Sequence, residues 1–334
     1  MGRHLTVWLL GVTLPAISSM AQALDRFEFT QIEMAVPVRI VLYAADNATA
    51  AGAAQAAFAR FRELNACMSD YDPESELRRL CDTSAEGAAA PVSKDLWQVL
   101  VTAQQLSEKT DGAFDVTVGP IVKIWRNARR TKELPSPEVL ARARASVGYQ
   151  LLRLDSRRQA VELLRPKMRL DLGGIAKGYA VNEAMAAIRK RGVSIAMVEA
   201  GGNIGLGDPP PGKKGWRIGV ASLDRDGPPR QYLTLSSATV STSGDLWQYA
   251  VIGGVRYAHL IDPRTATALT NRCSVTVVGP QGVNTDGLSS AVAILGPEKG
   301  LRLIDIPGLA AFAVWLIDGK QQIHQTSGWR NLSE

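Results

Sequence analysis

The sequence predicts an α+β fold: one large domain of mixed or antiparallel sheets flanked by helices. Three observations carry this expectation. Amphipathic helical stripes and alternating strand runs follow one another without the strict β–α–β order of a doubly wound sheet. No segment repeats along the 334 residues. A hydrophobic share of 46% against 21% charged belongs to a chain with a real core and not to a disordered one.

The elements are justified in chain order. Arg3 and His4 precede an apolar run over residues 5–17, and Ala21-Gln22-Ala23 offers an A-x-A cleavage site, the layout of an export signal. The run falls short of the roughly 18 or more apolar residues that span a bilayer, so an uncleaved anchor is the rival reading. There is no twin arginine, and no cysteine follows the run. Residues 1–23 are therefore expected to be a signal peptide and 24–334 a mature periplasmic domain without a transmembrane segment.

Residues 27–43 predict strand, with Val36, Val38, Ile40 and Leu42 alternating around Pro37. Residues 51–67 form a helical stripe through Ala54, Phe58, Phe61 and Leu64, and the turn formers of 68–75 predict a structured loop. Ser93 is an N-cap for a helix that ends before Gly112. Residues 126–132 are basic and read as a solvated face. Short strands are expected near 151–154 and 160–164, and a strand over 168–172 leads through Gly173-Gly174 into a helix over 175–191. Strand 194–199 closes on Gly201-Gly202, and strand character returns over 217–221, 232–235 and 274–278. Asp286 is expected to open a helix ending at Gly296, and residues 310–316 with Asp318-Gly319 predict a closing hairpin.

Charge and cysteine content narrow the function. The net charge is +6 with no run dense enough for a nucleic-acid tract, and the mild positive balance suits an anionic small ligand. Cys67, Cys81 and Cys273 form neither a CxxC nor a zinc spacing. Export permits a Cys67–Cys81 disulfide if the intervening loop doubles back; free or buried thiols are the other reading.

Four segments carry chemically suggestive groups. In Leu170-Asp171-Leu172-Gly173-Gly174-Ile175-Ala176-Lys177-Gly178-Tyr179, paired glycines permit close backbone approach and a helix start favours phosphate. Taken alone, the segment reads first as an ordinary strand-to-helix turn, with Asp171 as cap and Lys177 in solvent. Glu199-Ala200-Gly201-Gly202-Asn203 lacks the spacing and the following helix of a dinucleotide fingerprint. In Asn284-Thr285-Asp286-Gly287-Leu288-Ser289-Ser290, Asp286 and Ser290 are four apart, so a helix stacks them on one face as hard oxygen ligands of the kind Mg²⁺ accepts. The simpler account makes Asp286 a cap. His259, three residues before Asp262, is a general base, a flavin anchor or a structural histidine.

The order of these segments is more specific than any one of them. SDYDPESEL, DGAFDVTVGPIVKIW, LDLGGIAKGYAVNEA, EAGGN, STSGD, HLIDPRT and NTDGLSSAVAILG together resemble the ApbE family of FAD:protein FMN transferases across essentially the whole mature chain. The resemblance implies an ApbE-like fold with an FAD cleft between two lobes, FAD as substrate and Mg²⁺ beside its pyrophosphate. It implies transfer of FMN through a phosphoester to a threonine or serine of an extracytoplasmic acceptor protein, with AMP released. Carried over by position, Asp286 and Ser290 would hold metal, helped by a backbone carbonyl near Gly174. Met34, Tyr71, Ala113, Phe114, Asp115, Asp171, Lys177 and Ile261 would line the FAD site, and His259 would serve both flavin and transfer. The sequence departs from the family pattern at Ala35 and Val36 in the first motif, at Ser290 for threonine, at Thr285 for alanine, and at Asn182 for an aspartate expected on the helix surface. An FAD pyrophosphatase and a non-catalytic FAD-binding protein are the alternatives; an aromatic at Tyr71 goes with the transferase.

Overall fold

The computed structural model describes residues 23–83 and 88–332; residues 1–22 of the expected signal segment, 1–23, lie outside them. A hairpin of β1 (Asp25–Glu33) and β2 (Val36–Ala44) leads into α1 (Asn47–Met68), α2 (Glu76–Thr83), the short β3 (Ala90–Pro91), α3 (Lys94–Lys109), α4 (Gly119–Thr131) and α5 (Pro137–Arg144). Then come β4 (Leu152–Asp155), β5 (Ala160–Leu163), α6 (Ala176–Lys190), β6 (Ala196–Ala200), β7 (Asn203–Leu206), β8 (Trp216–Val220), β9 (Gln231–Leu235) and β10 (Thr239–Gly244). The chain continues through β11 (Tyr249–Ile252), β12 (Val255–Ala258), β13 (Ile261–Asp262), β14 (Thr267–Ala268) and β15 (Arg272–Gly279). It closes with α7 (Gly282–Ile304), β16 (Ala310–Ile317), β17 (Lys320–Gln325) and α8 (Ser327–Leu332).

Eight strands form the main sheet in the order β1-β2-β6-β7-β10-β15-β16-β17, and every neighbouring pair is antiparallel. This is the α+β class the sequence predicts. Alternation along the strands divides the core between the two faces of the sheet. Ile40, Leu42, Val275 and Val277 meet Phe58 and Phe61 of α1, Val181 of α6 and Leu288 of α7. On the other face Val41, Val278 and Phe312 pack against Trp216 and Ile218 of β8 and Trp329 of α8. A separate cluster joins Ile121, Trp125 and Ala128 of α4 to Ala250, Ile252, Ile261 and Ala266. Among the described residues, no helix is long and apolar enough to cross a membrane.

Several local expectations hold for their stated reasons. Ser93 Oγ accepts the Leu96 N–H at 3.3 Å, the cap that starts α3. Gly201 and Gly202 turn β6 into β7 with φ of 53° and 89°, and Asp318 and Gly319 turn β16 into β17 with φ of 50° and 72°. Others are corrected. Residues 27–43 form two strands because Met34 and Ala35 adopt φ of 48° and 61°, a two-residue hairpin turn of the mirror-image kind. Residues 168–172 join no sheet; they contribute one isolated bridge, Val118 to Arg169, and an Asp171 N–H donated to the Val116 carbonyl at 2.8 Å. Of the two readings of the cysteines the free-thiol one holds: Cys67 Sγ lies against Glu76, and Cys81 Sγ accepts the Leu170 N–H.

The largest correction concerns α7. It begins at Gly282, four residues before Asp286; the expected end at Gly296 holds, since φ 79° and ψ 178° break the helix there and Pro297 starts a second helical segment. Its start is capped by Asn182, whose Oδ1 accepts the N–H groups of Gly282 at 2.5 Å and Val283 at 3.4 Å. Asn182 therefore faces α7 and not open solvent, and it satisfies donors that a helix start leaves orphaned. Asp286 is free for another task.

Ala35 gives a direct test of the turn. A side chain in the left-handed region is strained, so Ala35→Gly should raise stability by about 0.5–1 kcal/mol, read as a higher urea midpoint at unchanged slope.

Candidate active site

The site forms where α6 and α7 start. Both helices carry a glycine at their crossing: a Cβ on Gly178 would run into the Gly282 carbonyl oxygen, and one on Gly282 into the Gly178 carbonyl. Without those side chains the backbones close, and the Gly178 N–H donates to Asp286 Oδ2 at 2.9 Å. Gly178 lies in the first turn of α6, so its N–H has no partner within its own helix. Asp286 thus caps the neighbouring helix. Asp286 is only 5% exposed. Burial pushes its pKa up, while the Lys177 ammonium, the Gly178 N–H and the Asn203 side chain pull it back.

Around Asp286 the other oxygens are hard donors. Ser290 Oγ lies 3.1 Å from Ser243 Oγ, which lies 2.8 Å from Ser289 Oγ. A Cβ on Gly174 would stand 3.6 Å from Ser290 Oγ, so Gly174, Asp286 and Ser290 share one corner. Asn203 is buried, and its Oδ1 has no hydrogen-bond partner. Among the described residues no three acidic, histidine or cysteine side chains cluster. One carboxylate, a hydroxyl and nearby carbonyl oxygens fit Mg²⁺, which keeps several waters and takes phosphate oxygens from its substrate.

Lys177 extends from the same helix start. Its Nζ donates to the Gly173 carbonyl at 2.8 Å, and its stem passes Gly201, where a Cβ would lie 3.3 Å from Lys177 Cδ. Val36, beside Met34 at the tip of the first hairpin, reaches the same turn, with Cγ1 3.1 Å from that hypothetical Cβ. The Phe114 ring closes the opposite wall against Gly174 and Gly287, with Ala113 buried behind it. Asp115 is buried within its own loop, where Oδ1 accepts the Thr117 N–H at 2.8 Å and the Thr117 hydroxyl at 2.7 Å. Burial raises its pKa against those two bonds.

A second group gathers around Tyr71, whose side chain is among the exposed large ones at 73%. The Arg126 guanidinium sits 4.4 Å over its ring, a cation–π contact, and donates to Asp171 Oδ2 at 2.8 Å and to Asp70. Asp171 Oδ1 meanwhile accepts the Gly173 N–H at 2.8 Å, linking this group to the start of α6. Burial and the Asp70 charge raise the Asp171 pKa; Arg126 opposes them. The basic run is therefore not uniformly a solvated face. Arg126 points into the site, while Arg130 is exposed and bonds Asn127.

His259 follows β12 directly. Its Nδ1 lies 3.3 Å from the Gln248 carbonyl oxygen, so a proton on Nδ1 can be donated there and Nε2 keeps its lone pair. Burial pulls its pKa down to about 4, against the Gln248 carbonyl, and the Arg129 and Lys177 charges act in the same direction as burial. Asp262 does not pair with it; that carboxylate is held by Arg264 at 2.7 and 2.9 Å. Ile261 lies in the α4 cluster behind the histidine. Cavities of about 300 Å³ near His324 and about 500 Å³ near Arg256 contain none of these residues. Sequence reasoning passed over Arg126, Arg129, Asn203 and Ser243 as site residues. The EAGGN and STSGD motifs were signals for the last two.

Known proteins similar in sequence and fold identify the family. The ApbE family profile matches residues 34–313. The chain is 31% identical over 280 residues to the FAD:protein FMN transferase of Haemophilus influenzae, covering 82% of this chain and 81% of that one. It is 34% identical over 249 residues to the FAD:protein FMN transferase of Vibrio cholerae, with 73% of each covered. The fold superposes on the flavin transferase ApbE from Vibrio cholerae with a TM-score of 0.82 at 27% identity, over 92% of this chain and 99% of that one. The flavinyl transferase ApbE of Pseudomonas stutzeri gives 0.82 at 28%, over 93% and 98%. Fold and relatives together define a transferase. The chain belongs to the ApbE family.

The helix crossing is open to test. Gly178→Ala should force α6 and α7 apart, costing about 1–3 kcal/mol and moving the Asp286 carboxylate off the helix start. Thermal melting reads the first effect. An unchanged melting temperature would mean that the crossing tolerates a methyl group.

Proposed function

We propose that the enzyme transfers FMN from FAD to a threonine or serine hydroxyl of an extracytoplasmic acceptor protein, releasing AMP, with Mg²⁺ bound at Asp286 and Ser290. The observation that carries this reading is one corner that joins a buried carboxylate, a hydroxyl, a helix start and Lys177. That set is suited to a pyrophosphate. The activities named for the relatives from Haemophilus influenzae and Vibrio cholerae support the same reading. Export to the periplasm belongs to the proposal and follows from the layout of residues 1–23.

Each residue has its own task. The Lys177 ammonium and the positive end of the α6 dipole hold the pyrophosphate oxygens. Tyr71 and Phe114 offer aromatic surface to the flavin. His259, neutral and with Nε2 unprotonated, takes the proton of the acceptor hydroxyl. The hydroxyl oxygen bonds to the flavin-side phosphorus, the phosphoanhydride P–O bond breaks, and the bond pair leaves on the AMP phosphate. Asp286, Ser290 and a carbonyl near Gly174 would hold Mg²⁺, which when bound offsets the negative charge on the pyrophosphate. Water in place of the hydroxyl would make the same site a pyrophosphatase. AMP release from FAD only when acceptor is present is the outcome expected of a transferase.

Two experiments address these roles. Asp286→Ala should reduce acceptor flavinylation by at least about 100-fold with the fold retained, read by intact mass of the acceptor. Full activity would remove Asp286 from the mechanism. Because burial holds His259 near 4 instead of its ordinary 6.5, kcat/KM for flavinylation should stay level from pH 8 to about 5 and fall only on approaching about 4. An inflection near 6.5 that survives in His259→Gln would exclude His259 as the base.

A further inference from the structure

The basic run of α4 divides by helix face. Arg126 and Arg129 are three residues apart and so are neighbours on the helix surface. Arg126 is fully matched, since Asp70 and Asp171 both accept from it and Tyr71 lies beneath it. Arg129 is half-buried, and among the described residues it makes no hydrogen bond or ion pair. The carboxylates beside Arg126 are turned elsewhere: Asp70 and Asp171 each turn Oδ2 to Arg126, and Asp171 Oδ1 takes the Gly173 N–H.

The position of α4 places this guanidinium. Ile121, Trp125 and Ala128 pack against Ile252, Ile261 and Ala266, the residues that flank His259 in the chain. Arg129 belongs to the same helix, and its charge bears on the His259 imidazole as well as on Tyr71 and Asp171. An unpaired, partly desolvated cation beside a second cation is unfavourable in the free protein. Guanidinium remains charged in that setting, so the arrangement calls for an anion.

We propose that Arg129 binds a non-bridging oxygen of the flavin-side phosphate of FAD, beside His259, and is a catalytic residue of the transfer. This inference rests on the flavin-transfer reading above. In the step already written, negative charge grows on the phosphate oxygens while the proton moves to His259 Nε2. A guanidinium at that point meets the growing charge with paired N–H donors. Arg126 has a different role: it positions Tyr71 and ties Asp70 to Asp171.

Binding measurements on the mature chain separate these assignments. Arg129→Gln should weaken FMN and FAD binding about tenfold or more, leave riboflavin, which lacks the phosphate, unchanged, and lower kcat for flavinylation. Arg129→Lys should restore part of the FMN affinity. Arg126→Gln should weaken riboflavin as well, through the loosened Tyr71. In Arg129→Gln the His259 imidazole, followed by NMR, should titrate at higher pH than in the unmodified protein.

Unchanged FMN affinity in Arg129→Gln, an equal loss of riboflavin affinity, or an unmoved His259 titration would each overturn the assignment. Failure of the unmodified protein to bind FAD at all would instead overturn the flavin-transfer reading itself.

Discussion

Close passage of α6 and α7 at Gly178 and Gly282 is the constraint on which the site depends. Two backbones meet with no side chain between them, and two exchanges follow. Asn182 of α6 caps the start of α7, and Asp286 of α7 caps the start of α6. Each helix thus supplies the partner its neighbour's orphaned N–H groups need. Neither helix start can move without breaking a bond to the other. Lys177, Gly174 and Ser290 take their positions from this lock, and the sheet beneath holds it through Val181 and Leu288.

Electrostatics in the site follow from the same packing. Burial opposes ionisation of Asp286, Asp115 and Asp171, and it holds His259 neutral. The positive groups are arranged around these: Lys177 bears on Asp286, Arg126 on Asp171, and Arg129 on the histidine. A substrate bearing a pyrophosphate would meet charges already fixed by the fold. Preorganisation of this kind avoids a reorganisation cost at the moment of reaction.

Much of the architecture was legible because it is local. The Ser93 cap, the Gly201-Gly202 and Asp318-Gly319 turns and the stripe of α1 all follow from neighbours in sequence. The four-residue spacing of Asp286 and Ser290 also stands, since it needs only that both lie on a helix. What the sequence concealed is tertiary. Asn182 meets Gly282 across 100 residues, and Arg126 meets Asp70 and Asp171 across 56 and 45. A basic run looks the same whether its counter-charges are water or distant carboxylates. Residues 168–172 misled for another reason. Met168, Leu170 and Leu172 are buried in alternation as in a strand, yet the segment has almost no ladder. Periodicity reports burial and is silent on hydrogen-bond partners.

The three free thiols have a consequence for how the chain matures. Burial raises all three pKa values, Cys67 and Cys273 to about 12. Exchange and oxidation proceed through the thiolate, so the folded protein presents almost none of the reactive form. An odd set of cysteines would scramble in an unfolded chain entering an oxidising medium. Closure of the core around them therefore doubles as protection against oxidation wherever the chain meets an oxidising medium.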